Sequence, residues 1–212
     1  MADFELPPTD FEQLKLLTIR IQPGKLVRLA WSDVATHVGF RATADYRFDS
    51  PDGSFGVLYA GFKLETAFAE SGLRDNPRKK GTALGVPMDF SRLDARRVIQ
   101  LAAASAFGAG TLKLIRLYGP GLATARTDNR ISSIDDYKLT RAWAKAFHDH
   151  PVKADGLIYM SRYTGAGKSV VLFGRCEDKI AVGKITPLLA HPEFAKLSDK
   201  FKLAIERARP PA

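Results

Sequence analysis

The sequence predicts a single α+β domain, in which short strands form central sheets and helices flank them. Two observations predict this class. Short stretches of alternating apolar and polar residues recur between glycines and prolines, and only a few segments carry the apolar spacing of a helix. The length of 212 residues suits one domain with a substantial core and is short for two. We find neither an internal repeat nor an internal linker.

Residues 1–24 are predicted to form a loosely packed N-terminal arm, because prolines and acidic residues interrupt them. One short helix is expected in this arm, near Phe11 to Thr18. The compact domain is predicted to span residues 25–212. Its core is assigned to residues 25–173 and a C-terminal extension to residues 174–212.

The compact domain is predicted to begin with a strand at Lys25 to Trp31. Alternation along this strand places Arg28 on the same face as Leu26 and Ala30. A second strand, Gly56 to Gly61, runs into a helix whose apolar stripe consists of Leu64, Ala67, Phe68 and Ser71.

The remainder of the chain is again mostly strand-like. Further strands are predicted at Leu84 to Phe90, Arg97 to Leu101, Thr111 to Tyr118 and Phe201 to Ile205. A β-hairpin is predicted from Leu157 to Arg162 and from Ser169 to Phe173. Helices are predicted at Asp136 to His148, which ends before Pro151, and at Phe194 to Asp199.

The composition excludes several classes of protein. With 45% hydrophobic and 26% charged residues, the chain is typical of a soluble globular protein. The single cysteine, Cys176, cannot form an internal disulfide, and the first residues lack the pattern of a signal peptide. The longest uncharged run, Val98 to Leu112, is too short and too polar to span a bilayer. We therefore expect a cytoplasmic protein.

The net charge favours anionic partners. The 32 basic and 23 acidic residues give 32 − 23 = +9, which suits nucleic acid, phosphorylated metabolites or an acidic protein. The basic residues cluster at Arg74 to Lys80, Arg92 to Arg97 and Lys196 to Arg209, without aromatic residues at regular spacing. This pattern favours a solvated surface over a nucleic-acid groove.

Several familiar motifs fail on inspection. Gly165 to Ser169 resembles the end of a phosphate-binding loop, but Arg162 stands where that loop requires glycine, and a strand follows. The histidines at 37, 148, 150 and 191 and the single cysteine show no zinc spacing, so we expect no metal site. Motifs of Rossmann dehydrogenases and serine hydrolases are absent from the sequence.

What remains is a set of polar residues placed where apolar strands or helices end. Its members are Arg28, Arg47, Tyr59, Glu70 and Ser161. In order and spacing, together with the segments Thr140 to Ala144 and Asp155 to Arg162, they resemble the RES domain family. The resemblance covers roughly residues 25–173. Taken in sequence, these pieces are fairly specific, although no single piece is decisive.

The resemblance implies a fold like that of ADP-ribosyltransferases and a bacterial toxin-type enzyme that destroys NAD. The nicotinamide glycosidic bond would be cleaved by hydrolysis or phosphorolysis, so NAD is a substrate, inorganic phosphate is the alternative co-substrate to water, and no cofactor is expected. The resemblance also implies an antitoxin partner of the Xre helix-turn-helix type, through which alone the protein would meet nucleic acid. Whether the protein forms a homo-oligomer stays open.

The family pattern assigns a role to each residue. Arg28 and Arg47 match the two family arginines, Tyr59 the strand tyrosine, Glu70 the helix glutamate and Ser161 the serine. Arg28, Tyr59 and Glu70 are therefore the expected catalytic residues, and Arg28, Arg47, Tyr59 and Ser161 the expected NAD-binding residues. The chain departs from the pattern at Tyr46, where a small residue is expected, and in its N-terminal arm and C-terminal tail.

The proposed chemistry suits these residue types. A guanidinium forms bidentate hydrogen bonds with phosphate oxygens and keeps its charge on burial. Arg28 and Arg47 therefore suit a pyrophosphate. Nicotinamide is cationic in NAD and leaves neutral, so one carboxylate, Glu70, can stabilise the ribosyl cation without a general acid. Tyr59 could stack on nicotinamide or bond a ribose hydroxyl. Ser161 could orient ribose or phosphate, or bond its own backbone in a turn.

Each residue also has a structural alternative. The arginines could pair with surface carboxylates, Tyr59 could be an ordinary strand residue, and Glu70 could face solvent, as we expect for Glu65. Three other functions stay open on the sequence: transfer of ADP-ribose to a macromolecule, a basic nucleic-acid-binding module, and an inactive domain that only binds a partner.

Overall fold

The computed structural model describes residues 4–34, 38–73, 85–104 and 110–206. Several positions singled out in the sequence lie outside these ranges, among them His37, Leu84 and the basic cluster from Arg74 to Lys80. Within the described residues the predicted α+β class is confirmed, with helices packed against a large sheet.

The strands are short, as predicted. They are β1 (Thr18–Ile21), β2 (Val27–Trp31), β3 (Val57–Gly61), β4 (Val86–Asp89), β5 (Arg96–Ala103), β6 (Leu112–Leu117), β7 (Gly156–Met160), β8 (Lys168–Phe173), β9 (Ile180–Pro187) and β10 (Leu203–Glu206). The helices are α1 (Leu64–Phe68), α2 (Phe90–Asp94), α3 (Pro120–Thr124), α4 (Tyr137–Asp149) and α5 (Phe194–Lys200).

Eight of the described strands form one sheet in the order β1-β6-β7-β8-β3-β2-β5-β9. Within it β6 and β7 are parallel and the other neighbours are antiparallel. The remaining strands, β4 and β10, form a separate parallel pair. The hairpin predicted from Leu157 to Phe173 is confirmed as β7 and β8.

The large sheet opens in its middle. Among the described residues, β2 and β3 share the single registered pair Val27 and Gly61, and the two strands part beyond it. Each strand keeps a full ladder on its other side, β2 with β5 and β3 with β8. The backbone of Arg41 exchanges two hydrogen bonds of 3.0 Å with Val57, so the chain between the strands covers the edge of β3 there. A cleft therefore lies between β2 and β3.

The apolar residues on the two faces of the sheet build the core. One cluster lies under α4, where Trp143 and Phe147 pack against strand residues such as Leu157 and Val171. Another lies under α1, α2 and α5, with Phe68 and Leu93 at its centre. A third, which contains Leu26 and Ala30, occupies the face that the sequence assigned to Arg28.

The N-terminal segment differs from the loosely packed arm that we expected. The helix predicted at Phe11 to Thr18 is absent: a 3-10 turn at Phe11–Gln13 is followed by β1, which pairs with β6. Phe4 and Phe11 are buried against Trp143, whose indole Nε1 donates to the Glu5 carbonyl at 2.8 Å. Tertiary packing of aromatic side chains outweighs the polar composition of the segment.

Besides β1, three of the named helices and strands were not predicted from the sequence. Helices α2 and α3 have five residues each, too few for a periodic pattern to stand out. Strand β9 lies in the C-terminal extension, where no strand was predicted before Phe201, and Pro187 is its last residue. Helix α4 agrees closely with the prediction, with Asp136 as its N-cap. Within the described ranges, none of the helices is both long and apolar enough to cross a membrane.

A buried histidine links the N-terminal segment to the end of α4. His150 is 5% exposed, its ring meets the ring of Phe11 edge-on, and its Nδ1 accepts a hydrogen bond of 3.1 Å from the Val152 amide. Burial lowers the pKa of His150, and the Glu12 charge offsets this only in part. The neutral form is therefore the one that the fold accommodates.

This environment predicts an acid-sensitive fold. As pH falls below about 6.5, the unfolded chain binds a proton at His150 that the folded chain resists, so stability declines until the lower folded pKa is passed. His148, whose pKa burial also lowers, adds in the same direction. Melting temperatures between pH 7.5 and 5 should fall less steeply for His150→Gln, which keeps an acceptor for Val152. Equal slopes for the two proteins would contradict this assignment.

Candidate active site

A cavity of about 160 Å³ occupies the cleft between β2 and β3. Its walls are residues 28–31 of β2, residues 57–60 of β3, part of the intervening chain and the turn after α1. The charged residues among those that line it are Arg28, Arg41, Arg96, Asp49 and Glu70. Because its walls are strands with intact outer ladders, the cavity is built on rigid elements.

Arg28 lies on β2 and lines the cavity, as the sequence predicted. Burial lowers the pKa of Arg28, and the nearby positive charge of Arg41 lowers it further. The positive form is thus disfavoured by desolvation and by repulsion, the two effects that a bound anion would relieve.

Arg96 also lines the cavity, although the sequence analysis did not single it out as a site residue. Arg96 is the first residue of β5 and is 7% exposed. Its guanidinium carbon lies 3.5 Å from the centre of the Trp31 ring. Stacking on an indole suits a partly desolvated guanidinium. Arg96 and Trp31 also border a neighbouring cavity of about 210 Å³.

Glu70 lies in a π turn, Ala69–Leu73, that continues α1. The side chain lines the cavity and is half-buried, and its Oε1 is shielded from solvent. The helix glutamate Glu65, by contrast, pairs with Lys200 at 2.8 Å and is not among the residues that line the cavity. Glu65 is itself half-buried rather than solvent-facing, so the two glutamates differ in whether they line the cavity and not in exposure.

Tyr59 lines the cavity from β3, but its hydroxyl is engaged within the protein. It donates to Asp49 Oδ1 at 2.9 Å and accepts from the Phe48 amide at 3.0 Å. Burial, followed by the Asp49 charge, raises the pKa of Tyr59 well above its usual value. Of the two roles that the sequence left open, stacking by the ring fits this arrangement better than a hydrogen bond to ribose.

Asp49 is a site residue that the sequence analysis missed. Its Oδ2 accepts hydrogen bonds from the Thr43 hydroxyl at 2.8 Å and from the amides of Asp45 and Tyr46 at 3.0 Å each. These amides precede Asp49 by four and three residues, whereas the common local pattern of aspartate is a bond from an amide that follows it. Local turn chemistry therefore gave no signal for Asp49.

Tyr46 marks the departure from the family pattern, and it lines the cavity. Its ring stands nearly perpendicular to that of Tyr59, with 6.1 Å between the ring centres. A large residue where a small one was expected therefore reshapes the wall of the cleft.

Arg47 is not among the described residues that line the cavity, contrary to the role expected for it. Its guanidinium donates to the Ile134 carbonyl and lies 5.1 Å from the centre of the Tyr137 ring. Burial lowers the pKa of Arg47, while nearby groups, Glu70 among them, raise it. Arg47 therefore braces the loop that carries Asp49 against the start of α4.

Ser161 lies in the loop after β7 and is also outside the cavity lining. It is buried, and its Oγ accepts a hydrogen bond of 3.3 Å from the Tyr163 amide. This is the turn bond that the sequence analysis gave as the alternative to substrate binding. The neighbouring Arg162 pairs with Asp135 at 2.5 Å.

The rejected phosphate-loop motif at Gly165 to Ser169 connects β7 to β8 and enters a strand. In the part of the chain that the structure describes, no three histidine, cysteine, aspartate or glutamate side chains are grouped so that they could hold a metal ion. Among the described residues, the chemical capacity of the site thus comes from two carboxylates, three guanidinium groups and aromatic rings.

The fold that contains the cleft between β2 and β3 is shared with a solved structure. The chain has the fold of a chain in the crystal structure of the M. tuberculosis MbcT–MbcA toxin–antitoxin complex, with a TM-score of 0.52, 14% sequence identity, and coverage of 91% of this chain and 98% of the other. At that identity the likeness establishes the fold, and the fold expected from the sequence is confirmed.

The particular family follows from the sequence. Residues 19–192 match the RES domain, so the chain belongs to the RES domain family. It is also 33% identical over 95 residues to a protein named probable toxin y4kH from Sinorhizobium fredii (strain NBRC 101917 / NGR234), covering 44% of this chain and 74% of that protein.

One glycine decides how β3 turns into the helix that carries Glu70. A Cβ at Gly61 would lie 2.9 Å from the Ala67 nitrogen and 3.1 Å from the Thr66 Cβ. We expect Gly61→Ala to reduce the free energy of unfolding by about 1–3 kcal/mol, because α1 must shift away from β3. Urea denaturation measures this.

Gly24→Ala is the matched control, since the nearest of the surrounding atoms lies 3.9 Å from its Cβ. We expect it to change the free energy of unfolding by less than about 0.5 kcal/mol. Equal losses in the two variants would contradict the close approach of α1 to β3.

Proposed function

We propose that the protein is an NAD-degrading enzyme that cleaves the nicotinamide glycosidic bond. The observation that carries this proposal is the convergence of Glu70 with Arg28, Arg41 and Arg96 on one cavity. Guanidinium groups suit a pyrophosphate, and a single carboxylate suits a developing ribosyl cation. Membership of the RES domain family supports the same activity.

The structure changes which arginines we assign to the pyrophosphate. Arg28 keeps its role, Arg41 and Arg96 join it, and Arg47 becomes a support of the wall. This choice follows the lining of the cavity and the direction in which the Arg47 guanidinium points, toward the Ile134 carbonyl.

The bond-breaking step requires little proton transfer. The electron pair of the glycosidic bond moves to the ring nitrogen, so nicotinamide leaves neutral and C1 of the ribose becomes positive. Glu70 stabilises that charge electrostatically in a site partly shielded from water. The Tyr59 ring lies beside the same cavity and offers a flat apolar surface to nicotinamide.

The acceptor decides the reaction class. Water gives ADP-ribose and releases a proton, whereas inorganic phosphate gives a phosphorylated ADP-ribose. Product analysis with and without phosphate separates hydrolysis from phosphorolysis, and labelled macromolecule would indicate ADP-ribosyl transfer instead.

We further propose that the protein is a toxin controlled by an antitoxin. The support comes from relatives: one is named a probable toxin, and the fold occurs in a toxin–antitoxin complex. The net charge of +9 suits an acidic inhibitor segment. An Xre-type antitoxin is the partner that the family resemblance implies, and its binding should suppress release of nicotinamide.

Glu70→Gln tests the carboxylate. Because the amide has nearly the same shape but no charge, we expect the rate of nicotinamide release to fall roughly 100- to 1000-fold while the protein still folds. Chromatographic measurement of nicotinamide, with circular dichroism of the same sample, gives both quantities.

Glu65→Gln is its matched control, one turn earlier and engaged with Lys200. It should keep the rate of the unaltered protein. Release of nicotinamide by Glu70→Gln at the rate of Glu65→Gln would refute the role of Glu70, and release by none of the proteins in either buffer would refute the activity.

The arginines form a second test. We expect Arg28→Gln, Arg41→Gln and Arg96→Gln each to raise KM for NAD about 10- to 100-fold. This factor corresponds to the free energy contributed by one hydrogen bond to a charged group. Arg126→Gln, which removes an exposed ion pair with Asp10, should leave KM unchanged.

Arg47→Gln should lower the melting temperature, because it removes the bond to Ile134. A rise of KM confined to Arg47→Gln would restore the original assignment and contradict the present one.

A further inference from the structure

The strongest feature that the proposed function leaves unused is the network around Asp49, a charged residue of the cavity lining. This side chain is 0% exposed, and both of its oxygens accept hydrogen bonds. Oδ2 binds the segment from Thr43 to Tyr46, and Oδ1 binds the Tyr59 hydroxyl. A buried carboxylate is costly to desolvate unless such donors surround it.

The network joins two walls of one cavity. Thr43 and Tyr46 line it from the chain that enters the cleft, and Tyr59 lines it from β3. The two walls belong to different elements, so their spacing depends on the groups that connect them.

The Tyr59 hydroxyl has a single proton, and Asp49 Oδ1 receives it at 2.9 Å. The hydroxyl oxygen accepts from the Phe48 amide at 3.0 Å. Tyr59 therefore has no proton to donate to a ligand while this network is intact. Its ring is the part that a ligand meets.

We propose that Asp49 is a positioning residue of the site: through Tyr59 and the segment Thr43 to Tyr46 it fixes the wall against which the nicotinamide end of the substrate packs. This inference rests on the proposed function. It assigns to the Tyr59 hydroxyl the role of a tether and to the Tyr59 ring the contact with substrate.

Asp49→Asn perturbs the network with little change of shape. An amide has one oxygen, which would face the three donors at the Oδ2 position, so its NH₂ would face the Tyr59 hydroxyl. The Tyr59 proton then loses its acceptor. We expect KM for NAD to rise about 10-fold or more, with kcat changed less than about threefold, because a binding wall acts on ground state and transition state alike.

Tyr59→Phe removes the tether from the other side and should raise KM in the same range. In the double variant Asp49→Asn/Tyr59→Phe, the two effects should be strongly non-additive, because both remove one interaction. A hydroxyl that instead bonds the reacting ribose would give a fall in kcat for Tyr59→Phe, undiminished in the Asp49→Asn background. That result would overturn the proposal.

Asp155→Asn is the matched control for burying an amide in place of a carboxylate. Asp155 is 3% exposed and accepts bonds from the Lys113 amide at 2.8 Å and from Lys179 Nζ at 2.7 Å, and it does not line the cavity. It should lower the melting temperature and leave KM and kcat unchanged below that temperature. A KM for Asp49→Asn equal to that of the control would also overturn the proposal.

Amide hydrogen exchange provides a readout that needs no turnover. Asp49→Ala, which removes the acceptor of the Asp45 and Tyr46 amides, should accelerate exchange at these two residues, whereas Tyr59→Phe should accelerate exchange at Phe48. Unchanged exchange in both variants would show that the network does not hold the wall. If exchange responds as expected but the unaltered protein releases no nicotinamide, the proposed function fails and the tether itself stands.

Discussion

The parting of β2 from β3 is the constraint on which the site depends. Neighbouring strands normally satisfy each other's backbone groups, so opening a sheet in its middle is costly. Here each strand keeps a complete ladder on its outer side, with β5 and with β8, and the Arg41 backbone covers β3 at Val57. The cleft consequently has strand walls, which hold the side chains of residues 28–31 and 57–60 in fixed directions.

Charge then determines what such a cleft accepts. The Arg28 guanidinium is desolvated and repelled by Arg41, and both effects lower its pKa. An anion between the arginines would reverse both effects, whereas a neutral ligand would relieve neither. The Asp49 carboxylate also lines the cavity, and both of its oxygens accept hydrogen bonds from the wall. The arrangement therefore separates two carboxylates by role, one that organises the wall and one, Glu70, that faces the cavity.

Two kinds of information in the sequence contributed to the predicted site. Local periodicity located the strand that carries Arg28 and the helix before Glu70, and the resemblance to the RES domain family singled out these two residues. Arg41 and Arg96 were beyond reach, because long-range strand pairing brings them to the cavity. The same limit explains why the contact of Arg47 with Ile134 and the packing of the N-terminal segment on Trp143 were not predicted, since these partners are distant in the chain. Residue type and local spacing do not indicate which distant residues come into contact.

Local geometry sets the position of Glu70 in the cleft. A regular helix would place it about 120° from the apolar stripe, at the border of core and solvent. The observed π turn alters that angle. Such turns are rare in proteins as a whole, but those that occur are often found at functional sites. Two contacts hold the turn: Ser71 Oγ donates to the Ala67 carbonyl at 2.6 Å, and Gly72 lies so close to Phe68 that a Cβ would sit 2.9 Å from the ring. The wide turn is thus built into the packing of the helix, and it sets the position of the carboxylate in the cleft.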